Sequence, residues 1–509
     1  MKRHAAQEKQ KQPAARPLRV LFVTPELAPW CKVGGLGEIS RDLPAALAQH
    51  AGCDVRQLVP AYPALRDAFP AAEQLTPLMA FGGRFAPARL MAVFTTVPTY
   101  LVDCPAYFNR PGNAYQSPAG EDWPDNHLRF GLLSHVAALL GSAASPFDWR
   151  PDVIHCQDWQ SGPVAAYLGQ APRARAATVL TIHNLAYQGI FPARAFDDLG
   201  FPAGAGIDGF EYYGNVSFLK VGLKHATKLT TVSPTYAREI LTPGHGCGLD
   251  GVLRSRGDEI VGILNGINVD LWDPARDPHL AQSYGPDRLE RKGVNKSALQ
   301  RALGLPERDD IPLLGVVARL VDQKGLDLVI EAAAGIVGLP AQLVIHGQGE
   351  HEIEAALRAL AARHPSAIAV RIGFDEHLAH RVAAGADIFL VPSRFEPCGL
   401  TPMQAARCGT PSVAHGTGGL ADSIVDATPA NLDAHVATGF VFDRPAPDAF
   451  LDAIQRALGI YRDPALWRTV QQAAMARDFS WTSAVPAYMG VYRGALSAQS
   501  SAAQQIWVA

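Results

Sequence analysis

A short apolar run, a turn marked by glycine or proline and a helical pattern follow one another again and again along this chain. At 18–23 the run Val20, Leu21, Phe22, Val23 leads to Gly34, Gly35, Leu36 and Gly37, and then to a helix expected over 38–50. Further strands are expected at 55–59, 90–94, 100–103, 151–157, 178–182, 229–232 and 258–264, with helices over 128–140 and 215–225 and an irregular loop over 109–129. Between 270 and 310 the alternation lapses into Asp, Pro, Arg and Tyr, with one helical piece at 292–303. It restarts at 312–318, where a helix to 337 follows, and continues through 343–346, 368–373, 387–391 and 411–414. Runs that are apolar throughout suit strands buried on both faces, and alternation with helices places them in a parallel sheet. The expected class is α/β, doubly wound. At 509 residues the chain exceeds one core. The lapse puts a boundary near 266, giving a polar arm over 1–17, domains over 18–265 and 266–479, and a closing helix and tail over 480–509.

Composition narrows the partners. A net charge of −3 supplies no field for nucleic acid or an anionic membrane, so an anionic ligand has to be held locally. No apolar run reaches the roughly eighteen residues of a membrane helix. The arm carries Lys2, Arg3, Lys9, Lys11 and Arg16 with no hydrophobic segment behind it, unlike a signal peptide. The seven cysteines are scattered and form no C-x-x-C pair, which excludes a disulfide frame or zinc finger pattern. A cytoplasmic enzyme is expected, with no cofactor.

Chemistry is expected where strands end, because open parallel sheets bind ligands at their carboxyl edge. After the strand at 387–391 comes Pro392 to Pro402. Thr401 reads as an N-cap and Pro402 as the first helical residue, leaving the amides of Gly399, Leu400 and Thr401 to face an anion. Glu396 precedes that helix, where its carboxylate either accepts from sugar hydroxyls or caps a turn. The loop of Lys32, Gly34 and Gly35 has the shape of a second phosphate turn, although it lacks G-x-G-x-x-G spacing. Arg319 and Lys324 flank another strand end, a placement suited to a diphosphate or to two surface charges. Two neighbouring strands end in Asp158 and His183. Asp158 can orient a loop backbone as readily as it can touch a substrate, and His183 can bond a hydroxyl or merely satisfy loop amides. No Asp-x-Asp pattern for a metal-held diphosphate occurs.

Five segments together resemble the bacterial glycogen synthases of the starch synthase type, glycosyltransferase family 5: Lys32-Val33-Gly34-Gly35-Leu36, Thr181 to Gly189, Thr231 to Ala237, Arg319 to Gly325 and Pro392 to Thr401. The match runs in order from about 18 to 493. The resemblance implies a GT-B fold, two Rossmann-like domains across a deep cleft, with the last helix crossing back to the first. It implies transfer of glucose from ADP-glucose to an α-1,4-glucan such as glycogen, with retention and without a metal. By the same resemblance Lys32 lies near the donor diphosphate, Arg319 and Lys324 bind it, and His183 and Asp158 border the glucose. Glu396 meets the glucose hydroxyls, the amides of Cys398, Gly399, Leu400 and Thr401 support sugar and phosphate, and Tyr115 and Asn265 line the cleft. Three positions depart from the family pattern: Val33 for the usual Thr, Gln157 for a frequent His, and Gln404 for a Glu at the nucleotide ribose. The competing readings are a UDP-glucose enzyme of the same fold and a catalytically silent glucan-binding scaffold. Oligomeric state is left open.

Overall fold

The computed structural model describes residues 16–77, 85–170, 175–201 and 207–508. The arm expected over 1–17 lies outside them apart from Arg16 and Pro17, and Arg16 pairs with Asp152 at 2.7 Å. Two sheets form the frame. The first has nine strands in the order Ile260–Gly262, Lys228–Thr231, Ala177–Ile182, Val153–Gln157, Arg19–Val23, Asp54–Pro60, Pro98–Asp103, Arg89–Phe94 and Glu73–Gln74. All its pairings are parallel except the last two. The second is wholly parallel, in the order Ile368–Ile372, Gln342–Gly347, Leu313–Val317, Ile388–Val391, Ser412–His415 and Gly439–Phe442. Its central strands are apolar and buried because helices cover both faces. This is the GT-B arrangement, with each sheet presenting its carboxyl edge to the cleft.

The last helix, Trp481–Val508, lies against the first sheet, although it follows the second in sequence. Val485, Tyr488 and Tyr492 share a core with Val20, Val153 and Val179, and the Tyr492 hydroxyl meets His155 Nδ1 at 2.9 Å. No helix among the described residues is long and apolar enough to cross a membrane.

Several elements differ from expectation, each for a local reason. The helix expected to start at 38 begins at Gly35, so Gly35, Leu36 and Gly37 are its first turn rather than part of the loop. The helix expected over 215–225 is a strand, Asn215–Ser217, followed by a helix, Phe218–His225, because Tyr213 and Gly214 close a hairpin and Ser217 caps the helix through Lys220 N at 3.1 Å. The strand expected over 258–264 shrinks to Ile260–Gly262 behind a 3₁₀ turn over Gly257–Glu259. The helix expected to 337 is broken into Leu326–Glu331 and Ala333–Val337. Helix Asn126–Leu140 starts inside the loop expected over 109–129. The edge strand Gly439–Phe442 and the three-stranded antiparallel sheet of Ile190–Pro192, Asn215–Ser217 and Glu211–Tyr212 were not expected at all.

Candidate active site

The second lobe contributes the loop between strand Ile388–Val391 and helix Leu400–Arg407. Thr401 is not the N-cap. Gly399 takes that place, with φ at 84°, a left-handed conformation glycine adopts without a Cβ penalty. A Cβ at Gly399 would also lie 2.8 Å from Leu420 Cδ2. With the helix thus started two residues early, the amides of Gly399, Leu400 and Thr401 make no hydrogen bond among the described residues. They are oriented donors at a positive helix end. The loop is fixed from behind: Gly419 N donates to the Glu396 carbonyl at 3.0 Å, and Gln323 Nε2 to the Phe395 carbonyl at 3.2 Å. Gly325 must be glycine, since a Cβ would come within 2.0 Å of the Pro392 carbonyl oxygen.

Glu396 and Lys324, given separate tasks by the sequence reading, meet directly. Lys324 Nζ donates to Glu396 Oε2 at 2.5 Å, and Ser393 Oγ donates to the same oxygen at 2.9 Å. Both side chains are largely enclosed, at 18% and 8% exposure, so the pair is shielded from water without being sealed. Behind the loop, the backbone and side chain of Asn265 reach the Cys398 thiol, whose burial pushes its pKa up to about 12. Asn265 Oδ1 is buried with no partner.

The first lobe's glycine turn is not an open phosphate cradle. Glu26, which the sequence reading passed over, fills it: Oε2 accepts from Val33 N at 2.8 Å and Gly34 N at 3.2 Å. Oε1 accepts from the Tyr115 hydroxyl at 2.5 Å. The Val33 and Gly34 amides of this turn are therefore already taken by a side chain of the chain itself. Burial raises the Glu26 pKa, while Tyr115, the two amides and the Arg319 charge pull it back. Tyr115 in turn is pushed well above its ordinary value, first by burial and then by the Glu26 charge. Gly35 stays exposed, and a Cβ there would lie 2.8 Å from Leu400 Cδ1, so the two helix starts face each other. Lys32 is also engaged: its ammonium bonds Glu38 Oε1 at 2.5 Å, lies 3.6 Å from Glu376 Oε1 and sits 5.7 Å from the Phe374 ring centre.

Asp158 orients backbone. Its Oδ1 accepts from His183 N at 2.7 Å, and the Asn184 amide also supports it. Asp158 takes φ 53° and ψ −166°, a strained backbone region outside the left-handed helical well and normally reserved for glycine, held here by the hydrogen bonds its carboxylate makes. Burial pushes its pKa up to about 7, with a contribution from the Glu26 charge, so the wall holds two buried carboxylates where the sequence suggested one. His183 Nε2 lies 2.8 Å from Gln157 Oε1, and Gln157 Nε2 donates to the His155 carbonyl at 3.3 Å. That orientation of the amide makes Nε2 the protonated nitrogen and leaves Nδ1 as an acceptor. Nδ1 is buried and has no partner. Burial lowers the His183 pKa to about 3, so the ring is neutral at physiological pH. Gln157 thus fixes the His183 tautomer.

The lobes touch around this space. Arg319 donates to the Tyr187 hydroxyl at 3.1 Å with its guanidinium 5.7 Å from that ring, and Asn184 Nδ2 donates to Gln323 Oε1 at 3.2 Å. Gln404, which stands where the family pattern has a ribose-binding Glu, donates to Glu38 Oε2 at 3.0 Å. Two short helices cap one another across the boundary: Asp422 accepts from Thr235 N at 2.8 Å, and Glu239 accepts from Gly418 N at 3.0 Å. Glu26 is the residue that motif reading missed, while Gln157 stood only as a departure from the family pattern and Tyr187 lay without a role inside the Thr181 to Gly189 segment. The signal for Glu26 was its place, three residues beyond the end of a central strand.

The chain is similar to known proteins over most of its length. The starch synthase catalytic domain model matches residues 19–255, and the glycosyl transferases group 1 model matches 300–468. A glycogen synthase of Dechloromonas aromatica is 49% identical over 95% of this chain and 99% of its own length. One from Nitrosospira multiformis is 47% identical over 94% and 98%. Among solved structures, the catalytic domain of Starch Synthase IV from Arabidopsis thaliana, bound to ADP and acarbose, is similar with a TM-score of 0.84 and 31% identity, over 95% of this chain and 100% of that one. A sucrose-phosphate synthase from Thermosynechococcus elongatus shares the fold at a TM-score of 0.59 and 19% identity, over 94% and 100%.

Proposed function

This chain belongs to the bacterial glycogen synthases of the starch synthase family, and from that premise we propose that its cleft moves glucose from ADP-glucose to the non-reducing 4-hydroxyl of an α-1,4-glucan, with retention and without a metal. The observation that carries this reading is the Lys324–Glu396 pair beside an unpaired helix start, opposite a neutral His183 with a free acceptor nitrogen. The plant relative's bound ADP and acarbose support a nucleotide donor and a glucan acceptor.

Binding exchanges partners. The donor diphosphate draws Lys324 and Arg319, with the amides of Gly399, Leu400 and Thr401 completing the anion site. Released from Lys324, Glu396 accepts from glucose hydroxyls, and His183 Nδ1 accepts from another. Lys32 contributes to the diphosphate only by leaving Glu38 and Glu376. The bond between the anomeric carbon and the phosphate oxygen then breaks, with its electron pair going to the leaving ADP. The acceptor oxygen attacks from the same face, and its proton passes to that phosphate. Donors placed in advance stabilise the growing charge most strongly in a closed cleft. Asp158 is already committed to the His183 and Asn184 amides, and Glu26 to its own three donors, which favours same-face attack over a covalent intermediate. The division at 265/266 and the return of the segment from 480 give each lobe its own half of this site.

The test is transfer of labelled glucose to glycogen from ADP-glucose and, in parallel, UDP-glucose, with chelator present. Chelator-insensitive transfer from ADP-glucose, lost in Glu396→Ala, is the expected result. No transfer from either donor, with glycogen still bound, would establish a scaffold instead. A glucosyl ester trapped on Asp158, Glu26 or Glu396 would replace same-face attack with a covalent route.

A further inference from the structure

The small antiparallel sheet beside the cleft carries a turn that folding alone does not account for. Strands Glu211–Tyr212 and Asn215–Ser217 are joined by Tyr213 and Gly214, both with positive φ, 47° and 79°. A two-residue hairpin of this kind favours Asn, Asp or Gly at its first position, and a bulky aromatic there is strained. Tyr213 gains little burial in return: it is 78% exposed, and its ring contact is the edge of Tyr212 at 4.8 Å. The turn is nonetheless held firmly. Gly214 N donates to Glu211 Oε1 at 2.9 Å, and the Tyr212 hydroxyl and Gln188 Nε2 both donate to the Cys247 carbonyl, at 2.7 and 2.8 Å.

Register decides which residues share the outer face. Phe191 pairs with Val216, and both pack inward, Phe191 against Trp159 and Phe218. Ile190, Pro192 and Asn215 therefore lie on the other face with Tyr213 at the tip, while Tyr212 and Ser217 on that face are covered in part and in full. The face is continuous with the cleft: His183 leads in seven residues to Ile190, past Tyr187, which holds Arg319. Of the eight large hydrophobic side chains exposed among the described residues, three, Tyr187, Ile190 and Tyr213, lie on this one path, which argues against chance scatter.

We infer that this outer face is a track for the acceptor glucan, on which Tyr213 stacks against a sugar ring distant from the reacting end. A glucose unit offers an apolar C–H face to an aromatic ring and hydroxyls to groups such as Asn215, so alternating apolar and polar positions on a flat strand face suit a linear glucan. The inference rests on the glucan reading above, and it gives the strained aromatic a role.

Tyr213→Asn gives the turn the residue its geometry prefers, so the variant is expected to fold and to melt at a higher temperature. Its KM for glycogen should rise on the order of three- to tenfold relative to its KM for maltotriose. Tyr213→Trp should restore the ratio, and Val436→Asn, an exposed change on the other lobe, should not move it. An unchanged ratio in Tyr213→Asn overturns the track. So does a lower oligomeric state than the wild type on gel filtration with glycogen affinity intact, which would assign the face to a second copy. Failure of the wild-type protein to transfer glucose would instead break the underlying glucan reading, and is told apart by that control.

Discussion

The two turns that face each other across the cleft read alike in sequence and behave differently in the fold. Each follows a buried strand, contains glycine and opens a helix. In the second lobe Gly399 begins the helix and leaves three amides without partners, with Arg319 and Lys324 on a neighbouring strand end. In the first lobe the amides of Val33 and Gly34 are spent on Glu26, and Lys32 is held by Glu38 and Glu376. The same backbone device is an anion site only when no side chain of the chain itself has filled it. One lobe leaves its amides open beside two cations, and the other has its own carboxylates and phenol engaged, with the His183 Nδ1 left as a buried acceptor without a partner.

The largest effects should come from the open side. Lys324→Ala or Arg319→Ala is expected to lower kcat about 10²- to 10³-fold, the scale for removing one preorganised donor from a developing oxyanion. Lys32→Ala should cost about tenfold, because its charge must first leave two carboxylates. Single-turnover transfer rates with saturating donor would check this. A greater loss for Lys32→Ala than for Lys324→Ala would reverse the roles given to the lobes.

Emptying the filled turn tests the comparison from the other direction. Glu26→Ala leaves Val33 N, Gly34 N and the Tyr115 hydroxyl unpaired and is expected to destabilise the fold by about 1–3 kcal/mol in urea unfolding. It should also create a weak inorganic phosphate site at the freed amides, detectable by calorimetry. Without such binding, the closure of this turn would be a matter of shape and not of a missing anion.

A smaller effect concerns pH. Burial and the Glu26 charge raise the Asp158 pKa from 3.8 to about 7. The folded chain therefore holds this proton more tightly than the unfolded one, and the group's contribution to stability falls as pH rises from about 3.8 to about 7. Activity should move the opposite way, since the ionised carboxylate grips the His183 and Asn184 amides more strongly. An acid limb in kcat/KM near pH 7 is expected, and His183, at about 3, does not supply it. Glu26→Gln should shift that limb to lower pH. A limb that stays in place would show that the two carboxylates do not communicate.

How far the sequence was legible follows from which physics was local. Buried parallel strands announce themselves as apolar runs, and Arg319, Lys324, Glu396 and His183 stand at strand ends, where a positional rule finds them. Residues whose meaning depends on a distant partner stayed hidden. Glu26 is one carboxylate among many until the turn folds onto it. Gln157 looked like a departure from a pattern until its amide met His183. Gln404 gives no sign in sequence that Glu38 of the other lobe is its partner. The strand Asn215–Ser217 read as helix because three residues cannot show a period, and only the positive φ of Tyr213 and Gly214 bends the chain into a hairpin.

The smallest prediction probes the point where the two turns approach most closely. A Cβ added to Gly35 would sit 2.8 Å from Leu400 Cδ1 and 3.7 Å from Leu400 Cγ, with no backbone atom in the way. The end of a leucine side chain can rotate aside, whereas at Gly419 the obstacle is the Cys398 carbonyl oxygen at 2.1 Å, which cannot move without the loop. Gly35→Ala gains up to ~1 kcal/mol of helix propensity at its helix start, against a modest repacking of Leu400. Stability should thus change little. The cleft should feel it more, because Leu400 N is one of the three unpaired amides and its side chain is pushed from the first lobe. The KM for ADP-glucose is expected to rise about two- to fivefold, on the order of a lost weak contact, with kcat nearly constant. A fall in kcat with KM unchanged would mean that the amide acts only in the transition state, and the anion site would then be formed by closure and not before it.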